Sequence, residues 1–291
     1  MSHRENESMI KPDWLKKPST PLVSTADVRV RITRAGLTTV CRSARCPNMG
    51  ECYSRGTATF MILGDLCSRS CGFCAVPHGK QAGVVDPGEP ERVADAAKAM
   101  ELGHVVVTSV TRDDLPDGGA GTFANTIHAL RCALPAATVE VLTPDFKGDY
   151  FAIDTVAAAG PDVYNHNMET VREFYGAVRP QAKYDRSLDF LSRVSTRYPE
   201  VTVKSGFMVG LGESKSQVVQ LLKDMRKAGC RMVTIGQYLR PTKEHLPVVE
   251  YLRPEVFHEY ARLGEDIGIE KVFAGPFVRS SYRAGEVFNK C

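Results

Sequence analysis

Six of the nine cysteines in this 291-residue chain fall within 34 residues as two triplets, Cys41-x4-Cys46-x5-Cys52 and Cys67-x3-Cys71-x2-Cys74. Three thiolates are one fewer than the irons of a 4Fe-4S cubane. A cluster held by such a triplet keeps one iron open to a substrate, a cofactor or an unusual side chain. Two such clusters in one chain imply chemistry. The alternative for the second triplet is a closed Cys3His zinc tetrahedron completed by His78. That choice leaves the first triplet and the run GHVVVTSVTRDD without a purpose. Cys132, Cys230 and Cys291 have no companion at ligand spacing and read as buried or incidental thiols.

The elements that position these cysteines alternate in kind. Strand patterns occupy 57–64, 104–110, 138–144, 162–167, 201–210 and 231–239, with a short last one at KVFAGP. Helical patterns lie between them, among them EPERVADAAKAMEL, TFANTIHALRCAL, SLDFLSRVSTRY, SKSQVVQLLKDMRKAG and RPEVFHEYARLGEDIG. Six βα units demand a parallel sheet, either a partial barrel or a doubly wound sheet. The polar clusters favour the barrel. GDLCSRSCGFC, TSVTRDDLPDGG, LTPDFKG, YNHNMET, MVGLGE and QYLRPTKEHLP each follow a strand directly, so in a parallel array they share the C-terminal rim. Cys67, Cys71 and Cys74 then sit at the mouth, after the first strand. His104 opens a strand and His128 sits in a helix, and both read as structural.

Composition sets wider limits. With 43% hydrophobic and 24% charged residues, the chain suits one barrel-sized α/β domain. No apolar run approaches the ~20 residues of a membrane span, and the start MSHRENESMIKPDWLKKP has no apolar core of a leader. Close-set cysteines without a secretion signal read as metal ligands in a reducing compartment, so the expected setting is soluble and cytoplasmic. The net charge of +3 sits wholly in residues 1–34, with seven Lys/Arg against four Asp/Glu; the remainder holds thirty of each sign. Nothing in that balance points to nucleic acid or membrane. Lys11, Lys16, Lys17, Arg29, Arg31 and Arg34 form either a solvated surface or a face for an acidic protein partner.

The C-x3-C-x2-C spacing, with Phe73 before its last cysteine, resembles the signature of the radical S-adenosylmethionine (SAM) superfamily. The run CRSARCPNMGECYSRGTATFMILGDLCSRSCGFCAV, with TSVTRDDLPDGGA, NHNMETV, VRPQAKYDRSL, KSGFMVGLGE, QYLRPTKEHLPV and GPFVRSSY, is similar to lipoyl synthases from Cys41 to Tyr282. Departures from that pattern are Arg42-Ser43 where acidic residues are common, Gly72 for a usual basic residue, and Gln81 where proline is frequent. They leave the partner surface and loop rigidity open, not the reaction.

The resemblance implies a partial (β/α)6 TIM-like barrel of the radical SAM type over 56–276. An N-terminal extension, 1–55, carries the auxiliary cluster motif, and a C-terminal tail, 277–291, carries RSSY. It implies two 4Fe-4S clusters, one on Cys67, Cys71 and Cys74 and one on Cys41, Cys46 and Cys52 with Ser281 as fourth ligand. The first opens SAM to a 5′-deoxyadenosyl radical. The auxiliary cluster gives up sulfur to the sixth and eighth carbons of an octanoyl group on a lipoyl carrier domain, consuming two SAM per product. SAM contacts are expected from Phe73, Ser109, Arg112, Asp113, Asn165, Asn167, Glu169 and Lys204, the last four ending later strands. Arg279 is expected to support Ser281. Tyr184, Tyr238 and His245 are either an acyl slot or plain packing. Implied partners are octanoylated 2-oxoacid dehydrogenase E2 domains and glycine-cleavage H protein, an electron donor such as flavodoxin or ferredoxin, and an iron-sulfur carrier for cluster repair.

Overall fold

The computed structural model describes residues 10–17, 21, 25–80 and 84–288. Gln81, Cys291 and residues 1–9 lie outside these. One eight-stranded sheet runs in chain order, from β1 (Thr38–Thr39) through β2 (Thr59–Ile62), β3 (His104–Ser109), β4 (Thr138–Leu142), β5 (Val163–Asn165), β6 (Thr202–Val209) and β7 (Met232–Gln237) to β8 (Lys271–Gly275). Strands β2 to β8 are parallel, and β1 lies antiparallel on β2 with Thr38 opposite Met61. The order begins at β1 and ends at β8, so the barrel is open. The strands are short and β-branched, and β2 and β7 are buried at every position, as expected where helices cover a parallel sheet.

Six helices make the crossovers, Glu89–Ala99, Ala120–Ala133, Tyr150–Ala158, Tyr184–Arg197, Lys215–Lys227 and Pro254–Asp266. Their starts follow local chemistry. Pro90 and Pro254 occupy first-turn positions, and Ser214 forms a reciprocal capping box with Gln217. The helix Tyr150–Ala158 is the one the apolar periodicity hides. It buries Ala152, Ile153, Val156 and Ala157 while Phe151 is 79% exposed and Tyr150 49% exposed, which blurs its inward stripe.

The N-terminal extension belongs to the sheet through β1, and helix Ala26–Arg34 buries Val28 and Ile32 against the core. Pairing β1 on β2 covers an edge that would otherwise be open to other chains. The described part of the C-terminal tail includes helix Ala284–Phe288, where the Phe288 ring lies tilted at 6.1 Å from that of His104 at the start of β3. No described helix is long and apolar enough to cross a membrane.

Candidate active site at the barrel mouth

The loop after β2 is fixed from four sides. Cys67 donates its backbone N–H to Pro77 and receives that of Gly79, while Ser68 donates to Thr111 in the loop after β3. Gly72 donates to Val178 and accepts from Leu246, each at 3.0 Å. His245 Nε2 lies 3.0 Å from the Cys74 carbonyl oxygen, so it carries the proton, and Nδ1 accepts from the Thr242 hydroxyl. Gly72 has a steric reason. A Cβ there would stand 2.9 Å from Leu246 Cγ and 3.3 Å from the Ala177 carbonyl, so the strap after β7 lies against a bare backbone. His245 thus holds the cysteine loop, and Tyr238 donates to Leu246 in the same strap. Tyr184 faces away from the mouth, donating to Asp224 on helix Lys215–Lys227.

Burial, then the neighbouring cysteines, push the thiols up: Cys41 to about 11, Cys52 to about 12, and Cys74 to about 12, where a Val76 backbone bond opposes the rise. Within each triplet the neighbouring cysteines oppose ionisation, so thiolate ligation there requires a bound metal group to displace the protons. Among the described residues no three His, Cys, Asp or Glu side chains converge closely enough for a single metal ion. Each triplet offers three sulfur donors, the ligand type that holds iron-sulfur clusters.

The first triplet and the tail are joined. Cys41 and Cys52 flank a turn whose backbone closes through Cys46 N–H to Cys41 O and Cys52 N–H to Asn48 O. Asn48 Nδ2 donates to the Phe277 carbonyl at 2.7 Å, and Glu51 accepts from the Tyr282 hydroxyl at 2.8 Å. Ser281 lies half-buried in this bridge. A glycine in β7 makes the room: a Cβ at Gly236 would stand 2.2 Å from the Val278 carbonyl. Arg279 is half-buried and donates to the Val278 carbonyl at 2.6 Å. Desolvation lowers its pKa against the pull of Cys46 and Glu169.

The residues expected to contact SAM divide by what already holds them. Ser109 Oγ at the end of β3 and Asn165 Oδ1 at the end of β5 are buried without a partner, the state of atoms that await a ligand. Asn167 Nδ2 donates to Glu169 at 3.0 Å, and Glu169 sits at φ 68° with its carboxyl raised by burial against Arg179. Arg112 is spent on Asp114 and the Leu63 carbonyl, and Asp113 receives Arg69 at 2.7 and 2.9 Å. Lys204 does not end its strand. It is the third residue of β6, deep in the barrel, bonded to Glu140 at 2.7 and 3.0 Å. Phe73 is half-buried within the cysteine loop.

Two residues escaped the motif reading. Arg179 is a buried guanidinium donating to the Asn167 carbonyl and the Tyr175 hydroxyl, within electrostatic reach of Cys71 and Glu169. Glu51 gathers three donors from two segments, the N-terminal arm and the tail. Both are charged residues inside runs that carry the resemblance, where nothing in the spacing singles out one charge from its neighbours. Part of the basic arm is paired inside the chain: Lys16 with Asp13, Lys17 with Glu51 and Arg31 with Asp27.

A cysteine triplet on the loop after the first parallel strand of an open barrel, with unpartnered polar atoms at neighbouring strand ends, defines a radical SAM enzyme. Residues 61–225 match the radical SAM superfamily profile. Among solved structures, methylornithine synthase (PylB) aligns with a TM-score of 0.53 at 12% identity, covering 89% of this chain and 85% of that one. HydG, a maturase of the [FeFe]-hydrogenase, aligns with a TM-score of 0.58 at 13% identity over 85% and 62%. These likenesses concern the fold. Sequence relatives are much nearer. The lipoyl synthase of Rubrobacter xylanophilus is 53% identical over 95% of this chain and 86% of its own, and that of Caldanaerobacter subterraneus 53% identical over 94% and 95%. That of Thermus thermophilus is 49% identical over 96% and 86%. The chain belongs to the lipoyl synthase family.

Proposed function

We infer that this chain inserts two sulfur atoms, at the sixth and eighth carbons of a protein-bound octanoyl group, to give the lipoyl cofactor. The observation that carries the reading is the first cysteine triplet, Cys41, Cys46 and Cys52, bridged to the RSSY tail beside the barrel mouth. A radical SAM enzyme that only abstracts hydrogen has no need of it.

Removing hydrogen from a saturated chain lies beyond any side-chain base near pH 7, so a radical is required. When bound, the cluster at Cys67, Cys71 and Cys74 supplies the electron that splits SAM into methionine and a 5′-deoxyadenosyl radical, and the auxiliary cluster supplies the sulfur. The protein binds, orients and shields. Ser109 and Asn165 are proposed to take the polar groups of SAM with their free oxygens, and Asn167 and Glu169 to hold its position at the rim. Phe73 packs beside it. Arg112, Asp113 and Lys204 act one step back, through Asp114, Arg69 and Glu140, to fix the loops and strands that carry the contacts. Arg279 balances charge between the two sites. Ser281 is assigned as the fourth ligand of the auxiliary cluster, residues 1–55 and 277–291 together forming its housing around the barrel of 56–276.

The acceptors proposed are octanoylated lipoyl carriers, either a 2-oxoacid dehydrogenase E2 domain or a glycine-cleavage H protein. A flavodoxin or ferredoxin is proposed as reductant, an iron-sulfur carrier for repair, and the cytoplasm as the setting. Anaerobic turnover of an octanoyl-lysyl peptide with SAM and reductant, followed by mass spectrometry, tests the reading. Lipoyl product with 5′-deoxyadenosine is expected; deoxyadenosine without sulfur insertion would sink it.

A further inference from the structure

Glu51 stands next to Cys52 on the short helix Met49–Ser54, and its carboxylate collects three donors from far apart in the chain. Lys17 Nζ donates at 2.9 Å, the Tyr282 hydroxyl at 2.8 Å and Arg283 at 3.2 Å. Lys17 also donates to Asn48 Oδ1 at 2.6 Å and lies over the rings of Phe277 and Tyr282, 4.6 and 5.4 Å from their centroids. Tyr282 in turn stacks on Phe273 of β8.

The geometry brackets Ser281. On one side Ser280 is tied to Asn167 at the barrel mouth, at 2.7 and 3.0 Å. On the other, Tyr282 is tied to Glu51, one residue from an auxiliary cysteine. A serine whose two neighbours are both anchored has little freedom left in where its hydroxyl points. Charge-assisted bonds on a half-shielded carboxylate are the stronger kind, and three on one carboxylate make a joint rather than a surface decoration. The donors come from the N-terminal arm and the tail, so the joint also closes residues 13–17 over the same place.

We propose that Glu51 is a positioning residue that seats the tail over the first cysteine triplet and so delivers Ser281 to the auxiliary cluster. The proposal rests on the assignment of Ser281 as a ligand of that cluster. Glu51 itself touches neither cluster nor substrate in this role; it acts through Tyr282 and Arg283.

The test uses the full chain reconstituted anaerobically with iron-57 and sulfide, comparing Glu51→Ala, Tyr282→Phe and Ser281→Ala with the parent. Mössbauer spectra report the oxygen-ligated iron of the auxiliary cluster, and hydrogen exchange reports the backbone of 277–288. Glu51→Ala is expected to speed exchange in the tail and to remove the oxygen-ligated iron signal as Ser281→Ala does, leaving the signals of the other cluster unchanged. Tyr282→Phe, which deletes one hydroxyl and endangers folding least, is expected to move both readouts the same way by less. If Ser281→Ala changes the auxiliary spectrum while Glu51→Ala and Tyr282→Phe leave spectrum and tail exchange as in the parent, the role of Glu51 is overturned and that of Ser281 stands. If Ser281→Ala itself leaves the spectrum unchanged, the ligand assignment fails and the proposal with it.

Discussion

Asn167 and Ser280 hold each other through two hydrogen bonds, at 2.7 and 3.0 Å, across 113 positions of sequence. One residue belongs to the barrel rim beside Glu169, the other to the RSSY tail beside Ser281. The bond pair therefore ties the region expected to bind SAM to the region expected to hold the auxiliary cluster.

The two serines of the tail should differ in what they do. Ser280→Ala removes a structural tie, at a cost of about 1 kcal/mol, and should raise the KM for SAM modestly while lipoyl formation continues. Ser281→Ala should keep SAM binding and some 5′-deoxyadenosine formation but lose lipoyl product. Equal loss in both variants would contradict this division.

The triplets should be separable by product analysis. Alanine at Cys67, Cys71 or Cys74 is expected to abolish 5′-deoxyadenosine. Alanine at Cys41, Cys46 or Cys52 is expected to leave some SAM cleavage and stop sulfur insertion, so lipoyl product from Cys41→Ala would refute the assignment.

Sulfur should come from the protein. A chain reconstituted with sulfur-34 sulfide is expected to pass the label into the lipoyl product, in about one turnover when no repair system is present, because the donor cluster is consumed. Unlabelled product would point to a free persulfide.

Gly236→Ala should expel the tail. Its new Cβ would stand 2.2 Å from the Val278 carbonyl, a backbone atom that cannot step aside. A cost of about 2 kcal/mol is expected for such overpacking, read as lowered retention of auxiliary iron with deoxyadenosine formation preserved. Normal iron content in this variant would show that the tail docks elsewhere.

His166 should give the fold an acid-sensitive component. Its Nε2 faces the Ser187 hydroxyl and its Nδ1 the Thr143 carbonyl, each at 2.9 Å, so the neutral ring satisfies both. Burial first, then Arg179, push its pKa down to about 4, against the opposing pull of Asp145. A folded pKa below the unfolded value means that the unfolded chain takes up the proton first. The stabilisation is whole above about pH 6.5 and drains away as pH falls to about 4, amounting to about 3 kcal/mol. Denaturant titrations across that window should show a smaller slope in His166→Gln, and an unchanged slope would contradict the assignment.

Cysteine spacing pointed to metal-cluster sites in the sequence alone, because ligand type and interval restrict which metal group can be held, and the resemblance to lipoyl synthases supplied the reaction. The alternation of β-branched runs with amphipathic helices pointed to a parallel sheet, since a strand buried on both faces and a helix buried on one leave different periodicities, and the polar clusters after the strands favoured the barrel. Tyr150–Ala158 escaped because two exposed aromatics at its start mask its inward face. What the sequence left undetermined depends on contacts between distant segments. Lys204 looked like a rim residue, yet the register that sets it opposite Asn165 places its ammonium on Glu140 inside the barrel. The resemblance gave the tail a ligand, Ser281, but not the place where it docks. Its docking needs a bare backbone at Gly236, a carboxylate at Glu51 and an amide at Asn167 to meet from three parts of the chain. Only the closing of those long loops brings them together, and no local pattern records it.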